Sequence, residues 1–197
     1  MSFLLGLTGS IGMGKSTTAK LFADEGCAIW DADAAVHRLY SAGGAAVEPL
    51  GAEFPDALRQ GAIDRNALKQ IIAADATALK RIEAIVHPLV ARDREMFKAR
   101  ASADIIVLDI PLLFETGGEK HVDAVACVSV DADTQERRVL ARNTMTRDQF
   151  LMIRSKQMPD AEKRARADYV IITDTLDHAR KQVRQVVDDI RAGLADA

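Results

Sequence analysis

The stretch that decides the fold is Phe3-Leu4-Leu5-Gly6-Leu7-Thr8-Gly9-Ser10-Ile11-Gly12-Met13-Gly14-Lys15-Ser16-Thr17. An apolar run leads directly into the pattern G-x-x-x-x-G-K-[ST], which is typical of a phosphate-binding loop between a strand and a helix. Glycines let backbone N–H groups turn inward around a triphosphate, because residues without a Cβ adopt positive φ angles easily. A glycine-rich turn without a ligand rarely carries Lys-Ser at these offsets, so the stretch predicts a phosphate loop.

Two side chains of this loop carry the expected chemistry. Lys15 would place a positive charge beside the β and γ phosphates, and Ser16 would offer its hydroxyl to Mg²⁺. The helix that starts near Lys15 would point the positive end of its dipole at the same anion. The loop therefore predicts a protein that uses a nucleoside triphosphate with Mg²⁺.

The composition argues against several classes of protein. With 197 residues, 48% of them hydrophobic, and a net charge of −3, the chain can bury a normal core and favours neither nucleic acid nor an anionic membrane as its partner. No apolar run approaches the length of a membrane span, and no basic segment precedes the first one. Cys27 and Cys127 lie in apolar segments without the spacing of a metal site. We therefore expect a cytoplasmic protein with small-molecule partners.

Helical and strand patterns alternate along the rest of the chain. Apolar runs predict four further strands, at Cys27–Trp30, Ile105–Leu108, Ala124–Val130 and Tyr169–Ile172. Together with the strand before the phosphate loop they predict an α/β fold of the P-loop NTPase type, a doubly wound five-stranded parallel sheet. An amphipathic helix from Leu176 onward is expected to pack on that sheet.

A helical insertion separates the second and third strands. Asp64 is predicted to cap one helix, and a second helix is predicted to run to Val86. His87-Pro88 should interrupt it, because proline cannot continue a helix but is favoured at the first position of the next one. Residues 41–61 show no clear period and are predicted to be a connecting, partly functional segment. Such an insertion suits acceptor specificity, although packed helices without a ligand would show the same pattern.

Carboxylates directly follow three of the predicted strands, the last of them Asp131 after the fourth. Asp31 and Asp33 come after the second strand, and Asp109 comes after the third. Parallel strands end at the edge of the sheet where ligands bind. Asp33 is therefore a candidate base for an acceptor hydroxyl, although it could equally cap a helix predicted over Ala34–Tyr40. Asp109 resembles the strand-end aspartate that binds Mg²⁺ directly or through water.

Two arginines, Arg138 and Arg142, are four residues apart in a predicted helix and should share one face. A solvated charged face is the usual explanation. Like charges facing a triphosphate would also suit a closing lid that stabilises the transferring phosphoryl group. On this reasoning Arg142 is a candidate catalytic residue and Arg138 a candidate nucleotide-binding residue. His87 alone suits a hydrogen bond at a helix junction better than catalysis.

Taken together, these segments resemble the dephospho-CoA kinase family over nearly the whole chain. The phosphate loop is shared with many enzymes. The more specific segments are Asp31-Ala32-Asp33-Ala34, Ile85-Val86-His87-Pro88-Leu89, Asp109-Ile110-Pro111-Leu112-Leu113-Phe114-Glu115, and Arg138 to Arg142 leading to Gln157-Met158-Pro159. The resemblance implies ATP-dependent phosphorylation of the ribose 3′-hydroxyl of dephospho-CoA, the final step of coenzyme A biosynthesis.

The same resemblance implies an assignment of parts within a single kinase domain over residues 1–197. Asp33 would be the catalytic carboxylate, Gly12–Thr17 the ATP site, residues 34–100 the CoA-binding helices, and residues 135–165 the lid. Lys15 and Arg142 would join Asp33 in catalysis, and Ser16 and Asp109 would hold Mg²⁺.

Two positions depart from the family pattern. Asn143 stands where an aspartate often follows the lid arginine, and Thr173-Asp174-Thr175 replaces a turn that contains Asn and Gly. The second departure puts an adenine contact from that turn in doubt.

Two other functions are compatible with a phosphate loop. One is a related small kinase acting on a sugar acid, shikimate or a nucleoside monophosphate. The segments His87-Pro88 and Pro111–Glu115 argue against it. The other is a nucleotide-dependent switch, which would need loops that sense the γ-phosphate rather than an acceptor-sized helical insertion.

Overall fold

The computed structural model describes residues 2–195. Its strands are β1 (Phe3–Thr8), β2 (Ala28–Asp31), β3 (Leu58–Arg59), β4 (Ala62–Ile63), β5 (Ile105–Asp109), β6 (Ala124–Ser129) and β7 (Tyr169–Ile172). Its α-helices are α1 (Lys15–Asp24), α2 (Ala32–Tyr40), α3 (Val47–Glu53), α4 (Arg65–Ala74), α5 (Ala78–Arg100), α6 (Ala132–Leu140), α7 (Arg147–Ser155), α8 (Asp160–Arg166) and α9 (Leu176–Ala195). None of these helices is both long and apolar enough to cross a membrane.

Five of the strands form a parallel sheet, as predicted, and their order is β2-β5-β1-β6-β7. β1 is central, with Leu7 beside Asp109 of β5 and Thr8 beside Cys127 of β6. In such a sheet the carboxyl ends of the strands meet at one edge, where ligands bind. The loop after β1 and the aspartate that ends β5 therefore share that edge.

The chain divides into two compact units, one built from the residues up to Trp30 and those from Ala101 onward, the other from Asp31–Arg100. In the first unit, α1 and α9 pack on the buried face of the sheet. α9 contributes the apolar stripe that its sequence predicts, namely Ala179, Val183, Val186, Val187 and Ile190. Each buried valine or isoleucine side chain of this stripe stabilises the fold by roughly 1.5–3 kcal/mol.

The second unit has an apolar core of its own. It is formed by Leu39, Tyr40, Ala46, Leu50, Phe54, Ala57, Ile63, Leu68, Ala78, Ile82 and Val86. Asp64 caps α4 as predicted, because its carboxylate accepts the N–H groups of Asn66 at 2.7 Å and Ala67 at 3.4 Å.

The interruption predicted at His87-Pro88 is wrong, since α5 runs through Pro88. Proline removes one helical hydrogen bond, but Pro88 is exposed. The same helix keeps Ile82 and Val86 buried in the core of the unit. Packing of this apolar face therefore outweighs the local cost of the proline.

Residues 41–61 are also more ordered than predicted. They contain α3, a 3₁₀ turn and the first strand of the β3–β4 hairpin. The hairpin turns through Gln60 and Gly61, whose φ angles are 49° and 77°. Two consecutive positive φ angles are typical of a tight two-residue hairpin turn. Leu50 of α3 and Phe54 just after it are four residues apart, so they lie on one face and fix α3 to the core. Two such residues are too few to show a helical period in the sequence.

Candidate active site

The phosphate loop wraps tightly at two glycines. Gly12 has a φ of 79° and Gly14 a φ of 92°, both in the left-handed region. A Cβ on Gly12 would lie 2.5 Å from a methyl group of Val139, and one on Gly14 would lie 3.1 Å from the Thr173 hydroxyl. Backbone angle and close packing therefore both require glycine. α1 starts at Lys15 with no capping side chain among residues 2–195, which leaves its first N–H groups for an anion.

Lys15 and Asp109 meet at the ligand edge of the sheet. The Lys15 ammonium group donates to the Asp109 carboxylate, whose side chain is only 2% exposed, against 16% for Lys15. The contact follows from the register, because Asp109 ends the strand that neighbours β1. The structure thus brings together the predicted phosphate-binding lysine and the predicted metal-binding aspartate.

The oxygen donors at this edge fit Mg²⁺. Ser16 and Thr17 follow Lys15 in the first turn of α1 and are both exposed, and Asp109 contributes a carboxylate. Residues 2–195 hold no cluster of three or more His, Cys, Asp or Glu side chains that would bind a metal by themselves. Mg²⁺ is usually held by one or two protein groups together with substrate phosphates. A hydroxyl and a carboxylate suit an ion that arrives with a nucleotide.

A cavity of about 230 Å³ adjoins the phosphate loop. It is lined by Gly14, Thr17, Thr18, Arg138, Arg142, Thr173, Thr175, Leu176 and Ala179. Arg138 donates to the Thr173 carbonyl at 2.6 Å and to the Thr173 hydroxyl at 3.1 Å. That hydroxyl in turn donates to the Met13 carbonyl at 2.7 Å. One of the residues that depart from the family pattern therefore joins Arg138 to the phosphate loop.

The predicted shared helical face of Arg138 and Arg142 is wrong. α6 ends at Leu140, so Arg142 lies in the turn that follows. The turn passes through Asn143 at a φ of 52°, a left-handed conformation that asparagine tolerates better than most residues. Both arginines nevertheless line the same cavity.

Asp31 and Asp33 belong to the unit Asp31–Arg100. The suggestion that Asp33 caps α2 is wrong, because the helix starts at Ala32 and Asp31 accepts the Ala34 N–H at 2.8 Å. Asp33 lies in the first turn of α2, where the helix dipole favours its negative charge. Its exposed carboxylate makes no hydrogen bond or ion pair with residues 31–100. His87 is exposed within α5 and lies at no helix junction.

Two glutamines that the sequence reasoning did not assign hold the phosphate loop from outside. The Gln157 side chain accepts the N–H of Ile11 at 3.1 Å, and the Gln135 side chain donates to the Ile11 carbonyl at 2.8 Å. Both also line a cavity of about 580 Å³ next to Ser10 and Met13. Gln157 belongs to one of the segments that carry the family resemblance. That indicated that the residue matters, but not that it bonds to the phosphate loop.

A buried ion pair was also missed. Lys163 is fully buried, and its ammonium group lies 2.8 Å from the Glu115 carboxylate. Burial opposes ionisation of Glu115, but hydrogen bonds from Lys163 and the Met158 N–H outweigh it and leave the pKa of Glu115 below its usual value. Lys163 stands in a basic run with Arg164 and Arg166, which by sequence alone looks like a solvated surface.

These features define a class of protein. The chain has a glycine-rich phosphate loop whose lysine is paired with a strand-end aspartate, and a cavity lined by arginines adjoins that loop. These are the parts of a P-loop phosphotransferase.

Comparison with known proteins identifies the family within that class. The family model for dephospho-CoA kinase (CoaE) matches residues 3–177. Dephospho-CoA kinase of Ruegeria pomeroyi is 68% identical over 193 residues, covering 98% of both chains. That of Jannaschia sp. strain CCS1 is 58% identical over 194 residues, 98% of this chain and 100% of the relative. The crystal structure of TT1252 from Thermus thermophilus superposes with a TM-score of 0.85 at 35% identity, covering 94% of this chain and 96% of that one.

The chain therefore belongs to the dephospho-CoA kinase family, which catalyses the final step of coenzyme A biosynthesis. The resemblance found in the sequence motifs is confirmed.

Proposed function

We propose that this protein transfers the γ-phosphoryl group of ATP to the ribose 3′-hydroxyl of dephospho-CoA. The observation that carries the proposal is the assembled phosphate loop, with Lys15 on Asp109, in a chain that belongs to this family over nearly its full length. Transfer of this kind depends mainly on positioning and on neutralising charge, which is what a rigid loop and fixed cations supply.

Nucleotide binding would rest on residues of the first unit. The phosphates would be held by backbone N–H groups and by the lysine of the phosphate loop. The residues concerned are Gly12, Met13, Gly14, Lys15, Ser16 and Thr17. The cavity of about 230 Å³ would take the adenine, with Leu176 and Ala179 as apolar contacts and the Arg138 guanidinium beside them. Thr173 supports this role, because it fixes Arg138 in place of the family's usual turn.

Two charged side chains would act on the transferring group. Asp33 would orient the acceptor hydroxyl and accept its proton, for which an exposed carboxylate just after the carboxyl end of β2 is suited. Arg142, as the arginine that the family resemblance assigns to the lid, would stabilise negative charge on the phosphoryl group once the lid closes. Ser16 and Asp109 would hold Mg²⁺, which neutralises phosphate charge when bound.

Larger parts of the chain would supply specificity and closure. Residues 34–100 would bind the CoA portion of the acceptor, supported by a compact unit with its own core. Residues 135–165 would form the lid that excludes water, anchored near its two ends by the contacts of Gln135 and Gln157 with Ile11. We place the protein in the cytoplasm, an assignment supported by two free, buried cysteines.

An acceptor panel tests the proposal. ADP release is measured with dephospho-CoA, AMP, shikimate, gluconate or no acceptor, and the products are identified by mass spectrometry. Only dephospho-CoA should give rapid ADP release and a product carrying one more phosphoryl group. Equal release without an acceptor would indicate a nucleotide hydrolase or switch, and faster release with shikimate or AMP would indicate a different kinase.

A further inference from the structure

Two segments that the sequence analysis singled out are bonded to each other in the first unit. The segment after β5 ends at Glu115, whose carboxylate accepts the Met158 N–H at 2.9 Å. Glu115 also pairs with Lys163 of α8 at 2.8 Å. The same Lys163 ammonium group donates to the Pro111 carbonyl at 3.3 Å. One buried lysine therefore holds both ends of the segment Pro111–Glu115.

Two hydrogen bonds connect this set of contacts to the phosphate loop. The Pro111 carbonyl also accepts the Thr8 hydroxyl at 3.1 Å, and Thr8 is the last residue of β1 before the loop. Gln157, which precedes Met158 in the chain, accepts the Ile11 N–H at 3.1 Å. Both the start and the middle of the loop are thus tied to one set of hydrogen bonds.

Because these side chains are buried, they have little freedom to change their positions. Thr8 and Lys163 are fully buried, and the Glu115 side chain is 18% exposed. A buried ammonium group must keep its partners, because losing one leaves a charge without compensation in a poorly solvated place. The ion pair therefore fixes the backbone of the segment Pro111–Glu115 relative to α8.

We propose that Glu115, Lys163 and Gln157 are positioning residues for phosphoryl transfer. They hold the phosphate loop and the segment after Asp109 in the arrangement that the reaction requires, without touching substrate. The proposal rests on the proposed function for its kinetic test, but affinity for ADP tests it independently of the acceptor.

The test compares matched variants. Three variants weaken the network while nearly keeping side-chain size. Glu115→Gln removes the negative charge of the ion pair, and Lys163→Met removes the ammonium group that contacts both Glu115 and Pro111. Gln157→Met removes the acceptor of the Ile11 N–H. Glu119→Gln is the control, because Glu119 also pairs with a cation of α8, Arg166 at 2.9 Å, but is bonded to neither the phosphate loop nor Pro111. For each protein kcat, both KM values, the Kd of ADP and Tm are measured, with kinetics recorded well below Tm.

A kinetic split is expected. The three network variants should lose about tenfold or more in kcat, because misplacement of the loop by a fraction of an ångström is enough for that. Gln157→Met should also bind ADP about tenfold more weakly, since Ile11 loses its acceptor. The KM for dephospho-CoA should stay within about twofold of wild type, because no network residue belongs to Asp31–Arg100. Glu119→Gln should match wild type in kcat, in both KM values and in the Kd of ADP.

The double variant Glu115→Gln/Lys163→Met separates positioning from stability. Removing both charges of a buried pair is often neutral for stability, so Tm should recover relative to Lys163→Met. A positioning role predicts that kcat stays low, because no ammonium group then reaches the Pro111 carbonyl. Recovery of kcat together with Tm would overturn the proposal, as would an unchanged Kd of ADP and kcat in Gln157→Met.

Failure of the proposed function gives a different result. Wild-type protein that does not phosphorylate dephospho-CoA rejects that function. In that case a weaker affinity of Gln157→Met for ADP, with Glu119→Gln unaffected, supports the network, and equal affinities reject it.

Discussion

Lys15 has a structural partner as well as a proposed ligand. Its ammonium group pairs with Asp109, a carboxylate that is only 2% exposed. Lys15→Ala should therefore abolish turnover and also lower the free energy of unfolding, by roughly 1–3 kcal/mol, because it removes a charged hydrogen-bond donor from a buried carboxylate. ADP release and urea denaturation measure the two effects. Lys20→Ala, on the exposed face of the same helix, should change neither.

An active Lys15→Ala protein of normal stability would reject both the phosphate-loop role and the ion pair. Loss of activity at unchanged stability would keep the role but show that Asp109 does not depend on this lysine.

Asp33 and Asp31 are two residues apart but should respond oppositely to substitution. Asp33→Asn removes the proposed base, so kcat should fall by roughly 10²–10⁴-fold at nearly unchanged Tm and ATP affinity. Asp31→Ala removes the cap of α2 and should cost about 1 kcal/mol of stability. Coupled ADP release at saturating substrates and thermal unfolding give the comparison. Near wild-type phosphoryl transfer by Asp33→Asn would exclude Asp33 as the base.

At the scale of elements, the sequence predicted what local pattern controls. The strands of the sheet, the phosphate loop and the buried stripe of α9 follow from unbroken apolar runs and helical spacing. α5 did not, because it continues through Pro88, with Ile82 and Val86 buried before the proline and Leu89 and Val90 packed on the same core after it. Arg142 lines the same cavity as Arg138, although α6 ends at Leu140 and the two arginines do not share a helix.

Contacts between residues far apart in the chain could not be predicted from local sequence patterns. The role of Gln157 depends on Ile11, which lies far away in the chain, and that of Lys163 depends on Glu115. The base proposed at Asp33 still rests on its motif and on its place after β2.

The proline within α5 gives a test at this scale. Pro88→Ala restores an N–H group to an exposed position of a continuous helix, so stability should rise by roughly 1–3 kcal/mol. Pro49→Ala is the control. Pro49 lies in the first turn of α3, where its missing N–H would have no helical partner, so stability should stay the same or fall slightly. Urea denaturation measures both, and destabilisation by Pro88→Ala would mean that the proline ring packs usefully.

For the whole molecule, ionisable groups in both units set the range of pH in which the fold is stable. In the second unit, hydrogen bonds from Thr77 lower the pKa of Asp75. In the first, hydrogen bonds from Arg191 are the main cause of the lowered pKa of Asp104. Such carboxylates stabilise the fold above their unfolded pKa, and the contribution is lost as the pH falls through their lower folded values. Acid should therefore destabilise both units.

The two thiols limit stability at the alkaline end. Burial raises the pKa of Cys27 from 9.0 to about 11 and that of Cys127 from 9.0 to about 12. Because the unfolded thiols ionise first, the stabilising contribution is complete below pH 9 and is lost as the pH rises through the folded values. The free energy of unfolding should be flat between about pH 5 and 9 and fall on both sides. Urea denaturation across this range measures the free energy of unfolding. For Cys127→Ala, this free energy should fall less steeply with pH than for wild type between about pH 9 and 10. This interval lies below the raised pKa values of Tyr40 and Tyr169. Identical slopes would show that the Cys127 thiol does not contribute to the alkaline loss.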